Sequence, residues 1–280
     1  MTPPAPESAL TARAHHLPAA GCAAGAVALL VVLPELLGDL GRLAAVIVLQ
    51  LGLVLVWVLV TGIQGFAGSL TVGAAAAVAA DLVLVLPARP AMGGLLAVFG
   101  VSFLASVLQQ MFRRPRPELV ASLAGTALLL AVTGALATLL LLGRSEAGHG
   151  RALIALLAVG AALVAGHLAD LVLPRPQLAD GVPCGLLGLG LAVVAAAAVT
   201  LLGRGVSGTV DPVAAVIYGA VLGGVAAIVS LVASYVVVEA DAADPPDGEQ
   251  PPPVWALSLI QGVLPLAACG PVAIALQSVL

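Results

Sequence analysis

Charge is what this sequence lacks most. Only 9% of its 280 residues are Asp, Glu, Lys or Arg, against about 25% in a soluble domain. That is too little polar surface to cover a globule in water. Lysine is absent, and all ten basic residues are Arg. The net charge of -4 offers no basic footprint for a nucleic acid. Cysteine is scarce too: Cys22, Cys184 and Cys269 stand far apart and form no CxxC pair. Neither a zinc site nor a disulfide framework follows. The chain has no GxxxxGK[ST] phosphate loop, no HExxH and no GxSxG elbow. No helix carries the regular Arg spacing of a voltage sensor. "LTVGAAA" at 70–76 shares only three letters with a potassium filter. No pair of broken helices marks an inverted repeat of the transporter kind. No cofactor is implied.

What the chain has is apolar length. Hydrophobic residues make up 61% of it, and the mean hydropathy is +1.19. The apolar runs are continuous rather than alternating, which excludes a membrane β-barrel. A spanning helix needs about 20 apolar residues. By that rule nine spans are predicted, near 19–37, 43–63, 66–87, 92–112, 119–142, 152–173, 185–202, 213–238 and 255–280. The fold class is therefore all-α, a polytopic membrane bundle. A polar, proline-rich tail over 1–18, expected to be disordered, precedes a single transmembrane domain over 19–280. The first apolar run outlasts a signal-peptide core and reads as a retained span. Arg in place of Lys, with abundant Ala, Gly, Val and Pro, fits a GC-rich bacterial genome and a bacterial inner membrane. Orientation stays open, because Arg13, Arg113, Arg114, Arg116 and Arg175 on one face balance Arg42, Arg89, Arg144, Arg151 and Arg204 on the other. The dense cluster at 113–116 leans toward placing its face, and the N-terminus, in the cytoplasm.

An ionisable side chain inside hydrocarbon costs at least ~2.5 kcal/mol and is a functional candidate by default. Asp81 lies about 9 Å of helix rise before the end of its span. It reads either as an interfacial Asp or as the wall of a cavity. Glu35 and Asp39 close the first span, where capping or water contact explains them. His167 and Asp170, three residues apart, are expected on one helix face. They could bind a metal, relay a proton or bond each other. Ser102, Ser106, Gln109 and Gln110 form a polar stripe that ends at "RRPRPE". That cluster reads as a membrane anchor or, through Arg113, Arg114 and Arg116, as a contact for anionic lipid phosphate. The acidic stretch "EADAADPPDGEQ" reads as a solvated turn, too flexible for a metal site. Gly21/Gly25, Gly181/Gly185 and Gly219/Gly223 have the small-xxx-small spacing of close helix packing.

The order of features resembles the phosphatidate cytidylyltransferases, or CDP-diacylglycerol synthases. A basic loop follows a mid-chain span, here "QQMFRRPRPELVASLAG" from position 109. An Asp-bearing span then leads through a proline loop to a Gly-rich span, here "HLADLVLPRPQLADGVPCGLLGLG" from position 167. A further Gly-rich span follows as "YGAVLGGVAAIVSLVASYVVVEAD", and "LPLAACGPVAIAL" closes the chain. The resemblance covers about 109–280 and implies a polar cavity built from Asp170, His167, Ser230 and Ser234, with Asp81 as a further candidate. It breaks at the family's signature. The signature's first Asp falls on Ser230 and its Glu on Ala233, while Leu231 and Ser234 match. Its Lys-Arg falls on Val237 and Val238, and its later Pro-Gly-His-Gly-Gly and Asp-Arg elements have no counterpart in 245–262. Nucleotidyl transfer needs carboxylates for metal and cations for phosphate. Aliphatic residues supply neither, so the expectation is a degenerate member, not an enzyme, that keeps a groove for anionic lipid. The alternatives are a small-solute or lipid transporter using Asp81, Asp170 and His167, and a structural subunit that packs on a protein partner or on copies of itself.

Overall fold

The computed structural model describes residues 15–87, 92–114, 118–144, 148–173, 184–208, 211–242 and 252–279. They are helical, with no strand among them. The elements are α1 His16–Thr61, α2 Phe66–Val85, α3 Gly93–Phe112 and α4 Leu119–Ala137 with its 3-10 extension Thr138–Leu140. They continue as α5 Gly148–Val172, α6 Leu186–Leu202, the single turn α7 Arg204–Ser207, α8 Pro212–Ala242 and α9 Val254–Val279. Seven of these helices are long and apolar enough to cross a membrane, and α6 is apolar but only 17 residues long.

Helix α1 is two spans in one. Its 46 residues would reach about 69 Å if straight, more than twice the ~30 Å hydrocarbon core. At Gly38 the backbone leaves the helical region, with φ 62° and ψ -137°. Glycine takes such angles without steric penalty. Pro34, one turn earlier, lacks the N–H that would hold the preceding carbonyl. The chain doubles back so tightly that a Cβ on Gly41 would run into the Leu33 carbonyl. Counting the arms 16–37 and 39–61 separately, the helices fall on the nine segments expected from apolar length. The helix begins at His16, inside the stretch expected to be a disordered tail. Residues 1–14 lie outside the described residues.

Short connections make successive spans antiparallel. One face of the bundle then carries His16, Gly62–Gly65, Arg113 and Cys184. The opposite face carries Gly38, Gly143 and Ser207. Leu and Val point outward, as at Leu40 and Leu96, each 75% exposed. In lipid that is the expected surface. The interior uses small residues, because helices in lipid gain by backbone approach rather than by apolar burial. A Cβ on Gly223 would meet Ala196, Val193 and Ala192 of α6, and one on Gly219 would meet Thr200 and Ala196. That glycine pair is a packing contact. Gly21 and Gly25 have nothing within reach, and Gly181 lies outside the described residues. Helix α9 packs along α1 and α8, and α6 packs against α5 and α8. Helix α3 is the least buried of the spans. Buried hydroxyls of Thr126, Thr133, Thr200, Ser234 and Ser258 donate to the carbonyl one turn back, which satisfies them without water.

Candidate functional site

Asp170 ends α5 at a junction with α6 and is 4% exposed. Its Oδ1 accepts the Gly185 backbone N–H at 2.9 Å. Gly185 precedes the first turn of α6, so a carboxylate from one helix caps the positive end of the next. Glycine at 188 leaves room for this carboxylate, which a Cβ there would displace. Cys184 Sγ lies 3.1 Å from Ser234 Oγ. The Ser234 hydroxyl also reaches the Ser230 carbonyl at 3.0 Å, and the Cys184 thiol is hydrogen-bonded to the Asp170 carboxylate as well. Asp170, Cys184, Gly188 and Ser230 line a narrow cleft, with a cavity volume of about 10 Å³, whose other walls are aliphatic. Asp170, Ser230 and Ser234, grouped by the resemblance, thus meet around Cys184.

His167 does not join them. Three residues along a helix leave about 60° between side chains, enough here to aim the two at different neighbours. His167 Nδ1 lies 3.3 Å from His16 Nδ1 at the start of α1, with the rings tilted by 46°. Both imidazoles are buried. Gln261 of α9 is fully buried, and both polar atoms of its side chain lack a hydrogen-bond partner. His167 and Asp170 thus lie three residues apart on α5 with different polar partners, His16 for the one and the Gly185 N–H for the other. Among the described residues no group of three or more His, Cys, Asp or Glu side chains could hold a metal ion.

Asp81 belongs to a third cluster. It is 2% exposed and faces the arm 39–61 of α1. Gln50 Nε2 donates to Asp81 Oδ1 at 3.0 Å and to the Thr133 carbonyl of α4 at 3.1 Å. Helices α1, α2 and α4 carry this cluster, whereas α5, α6 and α8 carry Asp170 and its partners. Among the described residues, the cleft that Asp170 lines does not include Asp81. Glu35 and Asp39 lie at the hairpin on the other face. Glu35 pairs with the exposed His149 at 2.9 Å and the exposed Asp39 with the half-buried Arg42 at 3.5 Å, and pairs with an exposed member add little stability.

Arg113 is engaged within the chain. Nη1 donates to Gln110 Oε1 at 2.7 Å and Nη2 to Gln64 Oε1 at 3.4 Å, while Gln110 Nε2 donates to the Gln64 carbonyl at 3.0 Å. This network ties the 62–65 connection to the end of α3. Arg114 is exposed, and Arg116 lies outside the described residues.

On the opposite face, the ends of α5, α6, α8 and α9 form a small open cleft, with a cavity volume of about 20 Å³, that sequence reading did not single out. Arg151, Thr200, Ser207, Tyr218 and Gln277 are its polar wall. Arg151 Nε donates to the Ser207 carbonyl at 3.3 Å, and Gln277 Nε2 donates to the Tyr218 hydroxyl at 3.1 Å. The missed residues Gln50 and Gln261 had a signal, a lone amide within an apolar run, as in "VIVLQLGLVL" and "LSLIQGVLPL". No family model, no curated protein and no solved structure matches the chain.

Proposed function

We propose that this chain is a multi-pass membrane protein that binds an anionic lipid without transforming it. The cleft at Arg151 carries the reading. It lies at helix ends, where lipid headgroups sit, and combines one guanidinium with a phenol and an amide above an apolar wall of Ile154, Ala214, Ala215 and Leu276. The Ser207 carbonyl fixes the guanidinium through Nε, and both Nη groups remain as donors suited to phosphate oxygens. Arg113, the expected phosphate contact, is instead held by Gln64 and Gln110.

Within this reading the protein is a silent counterpart of the phosphatidate cytidylyltransferases. Asp170 caps a helix, and Val237 and Val238 stand where that family places cations. This supports binding over nucleotidyl transfer, which needs metal-bound carboxylates and cations. Thermal stability in detergent tests it, with phosphatidic acid titrated against phosphatidylcholine. A ligand at 100 times its Kd stabilises by about 2.7 kcal/mol. Phosphatidic acid should raise the melting temperature selectively, and Arg151→Gln should remove the selectivity. Equal shifts with phosphatidylcholine, or full selectivity in Arg151→Gln, would overturn the reading. Loss of selectivity only in an Arg113→Gln/Arg114→Gln variant would move the headgroup site to the other face.

A further inference from the structure

The polar cluster that lipid binding does not use is Asp81, Gln50 and Thr133. Gln50 is the midpoint of the arm 39–61 and fully buried. Its two N–H donors both have acceptors, Asp81 Oδ1 and the Thr133 carbonyl. Those acceptors fix the orientation of the amide, since a flipped Gln50 would point its oxygen at both. Two buried atoms are then left without partners: Asp81 Oδ2 and Gln50 Oε1. Both are acceptors when Asp81 is ionised. A buried unmatched pair of this kind is costly.

Among the described residues no charged group bonds Asp81. The helices packed against α2 are α1, α3 and α4. Their described titratable groups are His15, His16, Cys22, Glu35, Asp39 and Arg42 on and beside α1, and Arg113, Arg114, Glu118 and Arg144 at the flanks of α3 and α4. His16 pairs with His167 and Glu35 with His149, Asp39 pairs with Arg42, and Arg113 is held by glutamines. None of these bonds Asp81. The chain has no lysine. An ionised Asp deep in the bilayer costs at least ~2.5 kcal/mol.

One proton resolves both problems. On Oδ2 it neutralises the carboxyl and turns an unmatched acceptor into a donor. The acceptor available to it is Oε1 of the same amide that already donates to Oδ1. Acid and amide then close the paired ring of two hydrogen bonds that a carboxylic acid and a primary amide form. We infer that Asp81, Gln50 and Thr133 form a proton-binding site inside the membrane bundle, with Asp81 as the proton carrier and Gln50 as its holder. Asp81 is 2% exposed and Gln50 fully buried, so the site holds its proton away from the surface of the bundle.

Infrared difference spectroscopy of the full chain in lipid nanodiscs tests this at neutral pH. The expected spectrum contains the carbonyl stretch of a protonated carboxylic acid, shifted by carboxyl-labelled aspartate. The band should vanish in Asp81→Asn and persist in Asp170→Asn. In Gln50→Leu it should persist but move to higher frequency, as a carboxylic acid without its amide partner does. The Gln50→Leu and labelling results decide the matter even if Asp81→Asn fails to fold. No protonated-acid band in wild type, or a band unchanged in both Asp81→Asn and Gln50→Leu, overturns the inference. A band removed by sodium chloride at constant pH overturns it in favour of a metal-cation site.

Discussion

Gly223→Ala isolates the packing rule of this bundle. The added methyl group would lie 2.8 Å from Ala196 Cβ, 2.9 Å from Val193 Cα and 3.0 Å from the Ala192 carbonyl oxygen. Carbon atoms prefer about 3.5–4.0 Å, so α6 and α8 must separate by several tenths of an ångström or more. Two of the three opposing atoms are backbone and the third is a Cβ, so no rotamer change relieves them. Overpacking of this kind typically costs about 1–3 kcal/mol. Gly224 is the control, one residue along the same helix, where a Cβ meets nothing within 4 Å. Gly224→Ala should be neutral or stabilising by up to about 1 kcal/mol through helix propensity. Thermal denaturation in detergent separates the two, at roughly 2–4 °C per kcal/mol for chains of this size class. Gly223→Ala should melt several degrees below wild type and Gly224→Ala at or above it. Equal melting of both variants would refute close glycine packing between α6 and α8.

Other substitutions probe other joints. Gly38→Ala puts a Cβ on a φ of 62° at the hairpin and should lower stability by about 1–3 kcal/mol, measured by thermal denaturation. Asp170→Ala removes the acceptor of the buried Gly185 N–H and should cost about 1–3 kcal/mol, while Asp170→Asn keeps an acceptor oxygen and should cost less. Trp57 donates Nε1–H to the Gly125 carbonyl at 3.1 Å. Trp57→Phe removes this bond between α1 and α4 while the Gly125 carbonyl keeps its helical N–H donor, and should lower stability by about 0.5–1.5 kcal/mol. Brominated lipids should quench Trp255, which is 52% exposed, far more than Trp57, which is 2% exposed; single-tryptophan variants read this out.

Apolar run length was enough to locate the helices, because in lipid the span of the bilayer dictates the segment. It could not show that the first two segments meet at one glycine. "GDLGR" read as a loop, and the helix continues to both sides of Gly38. The polar partners were harder. His16 meets His167 from 151 residues away, and Gln50 meets Asp81 and Thr133 from 31 and 83 residues away. Helical periodicity says which residues share a face, not which helix that face meets. For His167 and Asp170 even the shared face was too coarse, since 60° sufficed to separate their partners. The convergence of Asp170, Ser230 and Ser234 came from the order of features along the chain, not from any local pattern. Arg151 gave no signal, because a lone Arg at a helix end reads as an anchor whether or not a cleft lies beside it.

Native mass spectrometry of the protein released from mixed phosphatidic acid and phosphatidylcholine nanodiscs tests lipid binding most directly. The account predicts that wild type and Arg113→Gln/Arg114→Gln retain phosphatidic acid in preference to phosphatidylcholine, and that Arg151→Gln does not. Retention that follows bulk lipid composition in all three would contradict it.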